Sequence, residues 1–169
     1  QFKLAIVCAW SDDLLCVGNK ELLSKMRTVL HSHDFQTEKT EEPKSYTGIQ
    51  IDRDRRIRKM KVHQTQYTNE LMQRLKIVSN NKVRSPMLSY SVDEQVRDMT
   101  ERKNNVADKQ TTNIYQQQCG GLMWLTKTRP DIAFALSVAC RGMANPIRSD
   151  LSRIRRILEY VASSQDIGI

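Results

Sequence analysis

No apolar run in this chain approaches the roughly 20 residues that a membrane-spanning helix needs, so no membrane partner is expected. The opening residues, QFKLAIVCAW, have a short apolar core but no basic flank and no small-residue cleavage site, so they do not read as a secretory signal. Cys8, Cys16, Cys119 and Cys140 form no CxxC pair and no cysteine–histidine cluster, which excludes a zinc site of ordinary spacing. Reduced, buried thiols are the expectation, and with them an intracellular setting, nuclear or cytoplasmic. There is no internal repeat and no strongly biased segment. What remains is 169 residues, 39% hydrophobic and 27% charged, enough for one domain or a compact piece of a larger one. The net charge of +8 favours a polyanionic partner, nucleic acid before an acidic protein.

Within that frame one stretch stands out. CAWSDDLLCVG places two adjacent acids, Asp12 and Asp13, inside an apolar run. Charged carboxylates in such a place need a partner or an exit to water. The pattern is strand–SDD–strand, a hairpin, whose acids either mark a tight turn or hold a metal ion. Asn19 then caps a helix reaching about His33, with Leu22, Leu23, Met26, Val29 and Leu30 at helical spacing. SYTGIQIDRD and RIRKMKVHQ make a second hairpin with a charged tip. Its returning strand shows Arg58, Lys59 and Lys61 to solvent or to a ligand.

Residues 64–76 read as a helix with Tyr67, Leu71 and Leu75 on one face. Residues 78–110 are polar without a steady period and are expected to form an extended crossing segment, mobile over about 92–110. The last third is helical. A helix over about 111–127 turns Tyr115, Cys119, Leu122 and Met123 inward, and Gly120-Gly121 suggests a close backbone approach. Pro130 starts the next helix. Ser149 or Asp150 caps a last one, with Ile154, Ile157, Leu158 and Val161 inward.

Several stretches, in order, resemble one family. AWSDDLLCVGN resembles the Y-V-D-D-I-L-L-T-G segment of copia-type retrotransposon reverse transcriptases. YTGIQI, HQTQYTNELMQRLKI, RSPM, YQQQCGGLMWLTKTRPDIAFALSVACRGMANP and RIRRILEYVASSQDIGI are similar to later segments of the same enzymes, with TRPDI the most specific. The resemblance implies an α+β fold: a partial palm over residues 1–63, then a mostly helical thumb and connection over 64–169, ending before an RNase H domain. It also implies RNA-directed DNA polymerase chemistry, with Asp12 and Asp13 as ligands of Mg²⁺. Such catalysis uses two divalent ions held by hard oxygen donors.

The family takes a third carboxylate and its fingers from segments before this hairpin, and no other acid in the sequence has the context to replace the missing one. Asp52 and Asp54 lie at another hairpin and Asp131 at a helix start. The family's Tyr-Val is Trp10-Ser11 here. The expectation is therefore a chain inactive by itself, a truncated or domesticated remnant binding nucleic acid or a protein. The alternative is the C-terminal half of an active enzyme completed upstream. Candidate nucleic-acid contacts are Arg55, Arg56, Arg58, Lys59 and Lys61 on the second hairpin, and Arg148, Arg153, Arg155 and Arg156 on the last helix, facing RNA, DNA or an RNA–DNA duplex. The partial palm would need cover from another chain, by dimerisation or by local rearrangement. His31, His33 and His63 are not expected to be catalytic.

Overall fold

The computed structural model describes residues 4–78 and 83–169. Lys3, which the pattern places in the first strand, and residues 79–82 of the polar segment lie outside the described residues. The fold is α+β, with two small antiparallel sheets and six α-helices among the described residues. The chain divides into two compact units, residues 1–60 and 61–169.

In the first unit, β1 (Ala5–Trp10) and β2 (Asp13–Gly18) form the hairpin. Trp10 faces Asp13 across a two-residue connection, and Ile6 faces Val17. Ser11 takes φ 49°, the left-handed conformation that tight hairpin turns call for. Gly18 closes the far end because a Cβ there would lie 2.7 Å from both Ala5 Cα and Leu4 O. Helix α1 (Lys20–Ser32) starts where Asn19 Oδ1 accepts the Glu21 N–H at 2.8 Å. β3 (Ser45–Tyr46) turns through Thr47 and Gly48, both with positive φ, into β4 (Ile49–Asp54). β5 (Lys59–His63) completes the second sheet, in the order β3-β4-β5, and carries the chain into the second unit.

The second unit holds α2 (Thr65–Arg74), α3 (Val92–Asn104), α4 (Lys109–Leu125), a 3₁₀ turn (Pro130–Ile132), α5 (Ala133–Cys140) and α6 (Arg148–Ser163). Leu71, Tyr115, Cys119, Leu122, Leu125, Ile132, Leu136, Ile154, Ile157, Leu158 and Val161 form its core. The Tyr115 hydroxyl enters that core by donating to Ala139 O at 2.7 Å. Burial pushes the Cys119 thiol up to about 12. Gly121 makes the close approach expected of the glycine pair: a Cβ there would sit 2.5 Å from Leu71 Cδ1, whereas Gly120 faces open space.

Four expectations need correction. Residues 92–104 form α3 rather than a mobile crossing. Ser91 and Glu94 close a capping box, and the helix docks through charged side chains, so no apolar period announces it. Met123 is 53% exposed; Leu122 and Leu125 carry the inward face of α4 instead. Asp150 does not cap α6 from outside. It sits in the first turn and accepts the Ile147 N–H at 3.1 Å. Of the thiols only Cys119 is buried; Cys8 is exposed, and Cys16 and Cys140 are half-buried.

Candidate nucleic-acid interface

Strand pairing carries Asp12 and Asp13 to the tip of the first hairpin, where both are exposed. A turn at this point lets the two acids leave the apolar strands for water, which removes the penalty of charge within a buried strand. The Tyr46 hydroxyl donates to Cys8 O at 3.0 Å. Desolvation, then the nearby Cys8 and Asp13, raise the pKa of that hydroxyl. No group of three or more His, Cys, Asp or Glu side chains able to hold a metal ion occurs among the described residues. Two neighbouring carboxylates are too few donors for a pair of magnesium ions. The described residues therefore do not fit the metal centre that the resemblance implies.

The second hairpin presents its basic residues at an exposed tip. Arg55 Nε lies 2.5 Å from Glu42 Oε1, and Arg56 Nη2 lies 3.4 Å from Asp54 Oδ2; Arg55, Glu42 and Arg56 are largely open to solvent and Asp54 is half-buried. The backbone N–H of Arg56 donates to Asp54 and, with its guanidinium, holds that carboxyl below its usual range. Arg58, at φ 53°, and Lys59 are exposed, Lys61 half-buried.

On α6 the four arginines have different surroundings. Arg148 is exposed. Arg155 is exposed and pairs with Glu159 at 3.1 Å. Arg156 is half-buried, with a buried Nε that has no protein partner among the described residues. Arg153 is engaged inside the protein. It reaches Asp98 at 2.7 Å and Asp150 at 3.1 Å, and its guanidinium lies 4.5 Å from the centre of the Tyr90 ring.

Around Arg153 lies a polar cluster that sequence reasoning missed. Arg102 Nη2 donates to both oxygens of the fully buried Asp150, at 2.9 and 2.8 Å. Tyr90 and Ser149 donate to the two oxygens of Asp98, each at 2.9 Å. Burial alone would raise the Asp98 pKa; the hydrogen bonds from Tyr90 and Ser149 and the Arg153 charge outweigh it and hold the carboxyl below the usual range. The available signal was the SVDE capping box at Ser91, which marks a helix start without apolar help.

TRPDI is the anchor of another such group. Arg129, only 1% exposed, donates from Nε and Nη2 to Asp131, and from Nη1 to Ser164 O at 2.8 Å. The Tyr160 hydroxyl donates to Asp131 at 2.9 Å. Against the effect of burial, these donors keep the Asp131 carboxyl depressed. With its amide turned to satisfy its neighbours, Gln64 accepts from Trp124 Nε1 at 2.7 Å and donates to Thr128 Oγ1 at 2.9 Å. These residues join α2, the end of α4 and the turn before α5. His63, buried, bonds Thr65 Oγ1 at 2.7 Å through Nδ1, and His31 bonds Thr37 Oγ1 at 2.8 Å through Nε2; both are local turn contacts.

The chain is similar to the "Retrovirus-related Pol polyprotein from transposon TNT 1-94" of Nicotiana tabacum, at 29% identity over 160 residues. That match covers 92% of this chain and 12% of the relative. The "Retrovirus-related Pol polyprotein from transposon RE2" of Arabidopsis thaliana is 26% identical over 94% of this chain and 10% of its own length. The "Uncharacterized mitochondrial protein AtMg00810" of Arabidopsis thaliana is 25% identical over 89% of this chain and 58% of its own length. This chain thus spans about a tenth of the polyproteins it matches and just over half of the mitochondrial relative. No family model and no solved structure matches it. Homology to transposon Pol polyproteins supports a retrotransposon-derived origin.

Proposed function

We propose that this chain is a reverse-transcriptase-derived module, corresponding to the palm hairpin, thumb and connection of a copia-type enzyme, and that its biochemical role is to bind nucleic acid. The observation that carries the reading is the exposed basic tip of the second hairpin on a chain of net charge +8. Phosphates meeting Arg58 and Lys59 there would displace counterions, giving affinity that falls steeply with salt. Arg148 and Arg155 supply further exposed cations on α6. Arg153 is assigned a structural part in this reading, because its guanidinium already neutralises Asp98 and Asp150.

Binding of an RNA–DNA duplex across a salt series tests this. Replacing Arg58 and Lys59 with alanine should weaken binding similarly across sequences and lower the salt slope by about one for each phosphate that is no longer neutralised. Absence of binding at low salt would remove the nucleic-acid reading. A second reading, the polymerase itself, draws on the accessibility of Asp12 and Asp13. It is tested by primer extension with magnesium, where extension by the 169-residue chain would overturn the binding-only role.

A further inference from the structure

Helices α4 and α5 bring two thiols together inside the second unit. The Tyr115 hydroxyl donates to Ala139 O at 2.7 Å and Gln116 Nε2 donates to Met143 O at 2.9 Å, so α4 is pinned to the end of α5 and to the turn that follows it. Cys119 lies one helical turn beyond Tyr115 on the same face, and Cys140 directly follows Ala139. The two side chains meet there, the Cys119 thiol donating a hydrogen bond to the sulfur of Cys140. Cys119 belongs to the buried core, and Cys140 packs against that core from its margin.

The pair is unequal in access. Cys119 is 0% exposed, whereas Cys140, the last residue of α5, is half-buried and open in part to solvent. Burial raises the pKa of both thiols; at Cys140 the hydrogen bond from Cys119 opposes that rise. A thiol that a reagent can reach is thus backed by one that it cannot, an arrangement that suits attack at the first and resolution by the second. The other two cysteines offer no such pair. Cys8 stands opposite Leu15 and Cys16 opposite Val7, which puts their side chains on opposite faces of the first hairpin.

We propose that Cys119 and Cys140 are a redox site, which a disulfide oxidant such as glutathione disulfide converts to a reversible bond fastening α4 to α5. The Cys140 thiolate attacks one sulfur of the oxidant, forming a mixed disulfide and releasing one glutathione thiolate. The Cys119 sulfur then attacks the Cys140 sulfur, and the departing second glutathione takes the Cys119 proton. Two protein thiols are oxidised to one disulfide, and one glutathione disulfide is reduced to two glutathiones. With both thiols held above their ordinary range, formation takes hours rather than seconds. The bond closes the segment between the two helices, which carries Arg129 and Asp131, and by restricting the unfolded chain it stabilises the second unit.

The test uses the 169-residue chain carrying Cys8→Ser and Cys16→Ser, folded and incubated overnight with glutathione disulfide, then alkylated, digested and mapped by mass. The expected result is a peptide linking Cys119 to Cys140, lighter by two hydrogens and free of glutathione. Dithiothreitol should reverse it, and the urea midpoint of the oxidised chain should lie above that of the reduced one. Cys119→Ala should halt the reaction with glutathione held on Cys140, and Cys140→Ser should leave Cys119 unmodified. Mapping of the chain with both thiols decides the matter even where a variant does not fold. Glutathione retained on Cys140 beside an intact Cys119, both thiols remaining free, a linked peptide that forms only in unfolding urea, or a bond that leaves the urea midpoint unmoved would each overturn the proposal. None of these readouts involves nucleic acid, so failure here and failure of duplex binding are separate results.

Discussion

Residues 4–60 contain no buried side chain, whereas residues 61–169 contain a continuous core with Tyr115, Leu122, Leu125, Leu158 and Val161 wholly removed from solvent. Both units are correctly made at the local level. The first has an asparagine cap, a glycine at a close approach, and turns with positive φ at Ser11 and at Thr47-Gly48. The second has its own caps at Ser91 and Asp108. The difference lies in what the elements cover. In α1, Leu22, Leu23, Met26 and Leu30 are only half-buried and Val29 is 56% exposed. In α6, the same kind of periodicity encloses Ile154, Ile157, Leu158 and Val161. Local signals fix the shape of an element; only enclosed apolar surface offsets the entropy of ordering it.

The largest expected effect comes from separating the two. Residues 61–169 expressed alone should retain helical circular dichroism and a cooperative urea transition, and residues 1–60 alone should show none. A cooperative transition in 1–60 would break the comparison. Within the second unit, Asp150→Ala removes the carboxylate that holds Arg102, Arg153 and the start of α6. Urea unfolding should show a drop of about 3–5 kcal/mol, the usual penalty for breaking a buried ion pair.

Acid should weaken the second unit. Asp98 and Asp131 have folded-state pKa values below their unfolded ones. Their contribution to stability is therefore complete above roughly pH 4, the unfolded carboxylate value, and is lost as pH falls through the depressed folded values. Urea midpoints of the chain measured from neutral pH down to about 3 should fall at the acid end, and Asp98→Asn should flatten that fall. A smaller effect is expected at the capping box: Ser91→Ala should reduce stability by about 1 kcal/mol, with no change in the hairpins. Smallest is Val17→Ala, at a position 64% exposed, which should shift the urea midpoint by no more than about 0.5 kcal/mol equivalent. A larger shift for Val17 would mean that its face is covered in solution.

Much of the fold was legible because its signals are local. The SDD turn, the Asn19 cap, the pairing of β4 with β5 and the inward face of α6 follow from spacing between near neighbours, as does the inward face of α4 except at exposed Met123; the turn at Thr47-Gly48 that splits SYTGIQIDRD into β3 and β4 was not read. α3 was not legible by periodicity, because it is held by Asp98 and Arg102 reaching residues about 50 positions away in α6. The same reason hid the role of Arg153. On an amphipathic helix it reads as one more surface cation, and only the arrival of Asp98 and the ring of Tyr90 makes it an interior one. Of the nine basic candidates, the sequence could name residue types and spacing; it had no means of telling Arg148, open to solvent, from Arg153, enclosed between two carboxylates.

By itself the sequence determined most of the order of strands and helices, α3 and the break between β3 and β4 excepted, together with the two-acid turn and the resemblance carried by TRPDI and its neighbours, since each depends on residues close together in the chain. Tertiary structure decided which charges face water and which neutralise one another. It also decided that Asp12 and Asp13 stand at an exposed turn with no third acid beside them among the described residues. Those outcomes depend on which distant segments meet, and electrostatic energy depends on distance and burial in space rather than on spacing along the chain.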